Sequence, residues 1–245
     1  MPIGGSVSTY RTIALTTPLE DLIDGLSDDG ILAKLDRLWV FAQATQGDAL
    51  TDLIASASAT AVNSPSFAAN AGFTSDGSSS YIDSNFVPST DGIQYIQNTA
   101  SMHVWSTTSR AAASGPTIMG VNLTNISLIA LRESGNVFFG EINDSDFSFG
   151  PTNTDSSGFF TANRSSSTQR EAYRNGASLG TSGVTTAGAV PTGNIFILAR
   201  NTGGAPSNWE TVQCAAAAIG GSFNTTQALN FYNRMRTYMT AVGVP

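Results

Sequence analysis

The chain has one cysteine (Cys214), one histidine (His103) and one lysine (Lys34) among 245 residues. A single cysteine excludes an intrachain disulfide, so stability outside a cell would have to come from burial and assembly. One histidine and one cysteine exclude three-histidine and histidine–cysteine zinc centres. Cys214 lies in VQCAAAAIGG, a setting for a small buried thiol rather than a reactive one. Charge is also scarce. Charged residues make up 12% of the chain against about 25% in an average soluble domain. The net charge of −7 argues against a nucleic-acid surface, which needs clustered cations to bind phosphate. No apolar run reaches the ~18–20 residues that span a bilayer, so membrane insertion is not expected. The N-terminal MPIGGSVSTYRTIA lacks the basic start and apolar stretch of a secretory signal. Without such a signal, the five N-x-S/T sequons (Asn122, Asn125, Asn143, Asn163 and Asn224) carry little weight.

What fills the chain instead is Gly, Ser, Thr, Asn and Ala. With 41% hydrophobic residues and modest charge it should fold, and its length fits one all-β domain. Eight of the 18 acids lie between Glu20 and Asp52, which leaves the remainder close to neutral, as a hydroxyl-rich sheet surface would be. Residues 1–17 read as a polar arm ending before Pro18. Leu19, Leu22, Ile23 and Leu26 follow at helical spacing, and Ser27 and Asp28 could cap a second helix carrying Ile31, Leu32, Leu35 and Leu38. From RLWVFAQA onward the pattern becomes strands between turn clusters. Predicted strands include Leu38–Ala42, Ser101–Ser106, Thr117–Val121, Ser127–Arg132, Asn136–Ile142, Gly158–Asn163, Gln169–Arg174, Asn194–Arg200 and Gln213–Ile219. In SMHVWS, Met102, Val104 and Ser106 alternate with Ser101, His103 and Trp105. Asn175-Gly176 is a strong hairpin signal, since both residues tolerate φ > 0. Asn224 with Gln227 forms a capping box for a last helix whose stripe is Ala228, Tyr232, Met235, Met239 and Val242. About ten short strands with such turns predict a sandwich or jelly roll.

The order of these segments carries a resemblance. GFTSDGSSSYIDSNFVPS is followed by SMHVWSTT, FFGEIND, REAYRNGASLG, NIFILARNTGGAPSNWE and AAAAIGGSFNTTQALNFYNRMRTYM. This succession resembles the concanavalin A-like (laminin-G-like) jelly rolls of tailed-phage and prophage virion proteins, with the lead-in LAKLDRLWVFA, over about residues 31–243. The resemblance implies an all-β antiparallel jelly-roll sandwich with a short N-terminal helical hairpin and a C-terminal helix. It divides the chain into residues 1–30, an arm and helix that could anchor to a virion, and residues 31–245, the jelly roll. In that setting the loop after Phe73 would turn at Asp76-Gly77 while Phe73 and Tyr81 enter the core. Asp76 is a weak candidate for holding Ca²⁺, without the D-x-[DN]-x-[DN]-G spacing of a calcium loop. No other cofactor is expected.

The same fold carries glycoside hydrolases, whose retaining mechanism needs two carboxyl groups about 5–5.5 Å apart. The nearest string is EINDSDF. Position 143 is Asn, and Asp144 and Asp146 fall on the face opposite Glu141 if the strand is regular. Glu141 therefore lacks a partner acid, and no enzyme is expected. His103, in SMHVWS, reads as an ordinary surface or sheet residue. GAPSNWE and the glycine pairs lack the strand–helix context of a phosphate loop. Glycan recognition pairs aromatic faces with directional polar groups. Trp209, Asn201, Trp105, Tyr173 and Arg174 offer those types, with Trp209 the best exposed. Arg164, Arg170 and Arg174 flank one hairpin as a solvated face, with pairing to a neighbouring subunit as the alternative. The expected role is a noncatalytic, surface-exposed virion subunit (fibre, spike or head decoration), assembled in the host cytoplasm and attached through its arm. Its partners would be other virion proteins and copies of itself, a trimer by analogy. A host-glycan lectin and a polysaccharide-degrading enzyme are the alternatives.

Overall fold

The computed structural model describes residues 16–183 and 187–245, so the arm expected before residue 16 lies outside the described residues. Helix α1 (Pro18–Asp28) opens on a capping box. The Thr17 hydroxyl accepts the Glu20 N–H while the Glu20 carboxylate accepts the Thr17 N–H, and Pro18 sits in the first turn, where no N–H is needed. Gly30, at φ 66°, turns the chain just past the helix end. The second helix predicted over Ile31–Leu38 does not form. A single 3₁₀ turn (Leu32–Lys34) leads into strand β1 (Leu35–Val40). The pairing register shifts between Leu35 and Arg37. That bulge adds one residue to the strand, so Leu35 and Leu38 share a face although they are three apart. A bulged strand had imitated helical spacing.

Next come α2 (Gln46–Leu50), β2 (Thr60–Val62), β3 (Ser66–Ala68), β4 (Gly72–Thr74), β5 (Tyr81–Asp83) and the single turn α3 (Pro88–Asp91). The longer strands are β6 (Ala100–Ser106), β7 (Met119–Leu123), β8 (Asn125–Glu133), β9 (Val137–Asp144), β10 (Gly158–Ser166) and β11 (Gln169–Arg174). The chain ends with β12 (Ala177–Ser182), β13 (Phe196–Ile197), β14 (Arg200–Thr202), β15 (Ala205–Ser207), β16 (Cys214–Gly220) and α4 (Thr225–Ala241).

These strands form two stacked sheets, the predicted all-β sandwich. One runs β12-β11-β10-β6-β16-β4-β3, with β1 also paired to β16. The other runs β15-β14-β7-β13-β5-β2, with β8 pairing β7 and β9 pairing β8. Pairing is antiparallel around the predicted core strands, but β14 lies parallel to β7, a departure from the wholly antiparallel arrangement expected. The β4–β5 loop is a crossover between the sheets. Phe73 enters the core at its start. At its end Ile82, not Tyr81, is the buried residue, and Tyr81 packs instead on the Phe196 ring at 4.5 Å.

A third layer of helix covers the first sheet, and period-two alternation sorts side chains between the two interfaces. Met102, Val104, Ala217 and Ile219 lie between the sheets, whereas Trp105, Phe159, Ala216 and Ala218 lie beneath α1 and α4. β16 is built largely of alanine and is buried along its whole length, which lets the helices approach closely. In α4 the capping box forms as predicted, but the buried stripe is Ala228, Phe231, Met235, Tyr238 and Met239. Tyr232 and Val242 are only half-buried. Phe231 is fully buried, worth about 1.5–3 kcal/mol relative to exposure. Among the described residues no helix is long and apolar enough to cross a membrane.

His103 is not at the surface. It is fully buried, with its ring 4.7 and 5.0 Å from those of Phe223 and Phe231. The Ser101 hydroxyl donates to the Gly221 carbonyl, so it accepts from Nε2–H of His103 at 2.8 Å, and Nδ1 is left to accept from Thr161. Burial drives the imidazole pKa down to about 3, which keeps the ring neutral. It is a packing residue.

Candidate functional site

The acids nearest to a hydrolase pattern do come together, contrary to the regular-strand expectation. Between Ile126/Asp144 and Leu128/Glu141 the β8–β9 register slips by one residue, and Asn143 adopts φ 51°. The bulge turns Asp144 to the same side as Glu141. Both carboxylates contact Nη1 of Arg170, and Asp144 also receives Nη2 of Arg164 at 3.0 Å. Glu141 further accepts the Phe149 N–H at 2.8 Å.

All four side chains are at most 1% exposed. Arg164 and Arg170 are therefore not a solvated face, because their positions on β10 and β11 point between the sheets with Ala162 and Ala172. Burial raises the Glu141 pKa to about 7, opposed by the Arg170 charge and the Phe149 N–H. A carboxyl with such a pKa could act as a general acid, but here the Glu141 side chain is fully buried among the described residues and each acid faces a guanidinium. A serine nucleophile is no better placed. Gly176-Ala177-Ser178-Leu179-Gly180 satisfies G-x-S-x-G, yet it is a hairpin turn running into β12, not the strand-to-helix elbow that presents a nucleophile.

Asp76 is committed to its own loop. Its Oδ1 accepts the N–H groups of Ser78, Ser79 and Ser80, and its Oδ2 accepts the Ser79 hydroxyl. The Ser79 hydroxyl and these N–H groups hold the carboxyl well below its usual pKa. Among the described residues no three His, Cys, Asp or Glu side chains are grouped to hold a metal ion.

The five glycan candidates do not form one site. Trp209 is half-buried, so the exposure expected of it is only partial, and its indole N–H is buried without an acceptor among the described residues. Asn201 is 3% exposed and closes a turn, donating to the Asn194 carbonyl and accepting the Gly204 N–H. Tyr173 points toward the helix layer, where it meets Thr225 at the start of α4. Trp105 and Arg174, however, line the same cleft, of about 190 Å³.

That cleft lies where α4 meets the β11–β12 hairpin. The hairpin turn is formed by Asn175 at φ 51° and Gly176 at φ 74°, the mirror-image turn the sequence predicts. Its other walls are Tyr232 and Arg236 of α4, the ends of β6 and β10, and Pro245. The Trp105 and Tyr232 rings are nearly parallel at 6.0 Å, and the Arg236 guanidinium stands 5.4 Å over the Trp105 ring. Trp105 itself is 1% exposed and its indole N–H has no acceptor among the described residues. Arg174 is paired with Asp155 and donates to the Ser157 carbonyl. Burial opposes ionisation of Asp155, but Ser109, Ser157 and Arg174 together hold its pKa below the ordinary carboxylate value.

Among the described residues Arg236 hydrogen-bonds to the Thr240 hydroxyl and the Val244 carbonyl. Sequence reasoning missed Tyr232 as a surface group and Arg236 altogether. The available signal was their i, i+4 spacing, which places a cation beside the aromatic edge of a stripe otherwise assigned to the core.

No protein-family model matches the sequence, and no curated protein sequence is similar to it. The fold is similar to that of Trypanosoma rangeli sialidase, with a TM-score of 0.59 at 12% identity over 90% of this chain and 39% of that one. The same enzyme in complex with sialic acid aligns at TM-score 0.56 and 10% identity, with equal coverage. A botulinum neurotoxin serotype D binding domain aligns at TM-score 0.52 and 12% identity, over 82% of this chain and 52% of that one. The chain spans 39% of the sialidase, and at these identities the likeness shows the β-sandwich fold alone.

Proposed function

We propose that the chain is a noncatalytic β-sandwich module on the surface of a tailed-phage virion, serving attachment or architecture. The observation that carries the noncatalytic part is the sealed cluster. The two carboxylates that could have cleaved a glycosidic bond are buried and each faces a guanidinium. The virion setting rests on the ordered motifs running from LAKLDRLWVFA to the C-terminal helix. The residue 1–30 segment would make the connection to the particle, with neighbouring virion proteins and further copies of the chain as partners. Antibody against the sandwich, used to label intact particles, tests this placement. Labelling of a head or tail surface is expected, and its absence from purified particles would remove the virion role.

A second reading, glycan recognition, is favoured by the cleft at α4, where aromatic rings, two arginines and an asparagine converge on a surface hollow. The solved structures of like fold include one titled as a complex with sialic acid and one titled as a binding domain, which is compatible with that use of the scaffold. Repetition over a particle would turn weak single sites into avid attachment. Binding of labelled particles or purified protein to a glycan array, lost on Tyr232→Ala, is the expected result. Binding unchanged in that variant would place glycan recognition elsewhere.

A further inference from the structure

The cleft at α4 has a charge that no described acid pairs with. Of its two arginines, Arg174 is already paired with Asp155. Among the described residues Arg236 forms no salt bridge, although the chain carries a net charge of −7. The printed ion pairs of the other arginines lie elsewhere: Asp29 with Arg234, Glu210 with Arg110, Asp52 with Arg37. Arg236 is fixed rather than free. Three hydrogen bonds from its Nε and Nη2 reach Thr240 and the Val244 carbonyl, and the Trp105 ring lies beneath it, so little side-chain entropy remains to be lost when it meets an anion. Among the described residues those bonds use Nε and Nη2 and leave Nη1 over, and the Trp105 indole N–H in the same wall finds no acceptor. Tyr232, one helical turn before Arg236, is half-buried and supplies an aromatic face, while Asn175, Ser157 and Thr107 supply polar edges.

We infer that this cleft binds a carboxylate-bearing saccharide, with Arg236 receiving the carboxylate and Tyr232 packing against the apolar face of the ring. The inference rests on the glycan-recognition reading and specifies its ligand class. No Asp or Glu side chain lines the cleft, and of its two arginines Arg174 is taken up by Asp155 while Arg236 is not paired among the described residues. A neutral sugar would leave Arg236 without a counter-charge in a partly dry cleft. A uronic acid of a bacterial capsule and a nonulosonic acid of an animal cell surface present the same carboxylate beside a pyranose ring, and the probes below separate them.

The test titrates the whole chain with three probes: a hexuronic-acid oligosaccharide, an N-acetylneuraminic-acid oligosaccharide, and the carboxyl-reduced form of whichever binds. We expect one acidic probe to bind at least 10-fold tighter than its reduced form, and the preference to weaken at 0.5 M salt. Arg236→Gln should abolish the preference and Arg236→Lys should restore part of it, with unaltered thermal melts showing that both variants fold. Equal binding of the acidic and reduced forms would overturn the inference while leaving glycan recognition standing. Binding of no saccharide at all would overturn both. Should Arg236→Gln fail to fold, the wild-type comparison of acidic with reduced probe still decides the matter.

Discussion

Two regions of this molecule hold arginines in opposite ways. Between the sheets, Arg164 and Arg170 are buried against Glu141 and Asp144, so that every charge is answered within the chain. At the α4 cleft, Arg236 is half-buried over a tryptophan and is paired with no acid among the described residues. A buried ion cluster tolerates loss of a partner badly, because what remains is an uncompensated charge in low dielectric. A surface cation loses little when removed and gains when a ligand supplies the missing anion. The first region fixes the scaffold, and the second is where the proposed recognition would act.

The sharpest way to break this comparison is to remove one arginine from each region. Arg170→Met should destabilise the protein by about 3–5 kcal/mol in urea or guanidinium denaturation, because Glu141 loses its counter-charge and Asp144 loses one of two. A loss near zero would mean that the cluster is open to water. The next effect is on pH dependence. The Glu141 pKa is raised from 4.5 to about 7 on folding, so the folded state holds more protons than the unfolded state between those values. Its contribution is therefore fully present below pH 4.5 and is lost as pH rises through about 7. Stability should fall across that window by on the order of 3 kcal/mol at most, and Glu141→Gln should flatten the fall. Denaturation midpoints measured from pH 4 to 8 in both proteins check the sign.

Smaller effects sharpen the contrast. Asn224→Ala breaks the capping box of α4 and should cost about 1 kcal/mol, seen as a lower thermal midpoint and faster amide exchange in the first helical turn. Arg236→Gln should change stability by no more than about 0.5 kcal/mol, the smallest effect of the four.

Much of the architecture was legible in the sequence, and the failures have few causes. Gln169–Arg174 was read with its observed bounds because Asn175-Gly176 can adopt the positive φ that a tight hairpin needs. The α4 capping box was likewise carried by local hydrogen-bond chemistry. By contrast, Leu35 and Leu38 looked helical, and Glu141 and Asp144 looked like residues on opposite faces, for the same reason. A β-bulge inserts one residue and shifts the period-two alternation. Neither bulge has a glycine to announce it: one falls between Leu35 and Arg37, the other at Asn143. His103 and the two buried arginines were misjudged because burial of a polar side chain depends on partners far along the chain. Thr161 and Phe231 enclose the histidine, and Asp144 answers Arg164. The cleft was half legible. Trp105 and Arg174 were named from residue type, while Arg236 became visible only when α4 was seen to dock beside the hairpin.

The most direct single measurement is a parallel assay of wild type, Glu141→Gln and Arg236→Gln on one acidic oligosaccharide, recording both binding and new reducing ends. We expect no new reducing ends in any sample, equal binding by wild type and Glu141→Gln, and loss of binding in Arg236→Gln. Reducing ends released by wild type and not by Glu141→Gln would contradict the assignment of the buried acids to structure and make the sandwich a hydrolase.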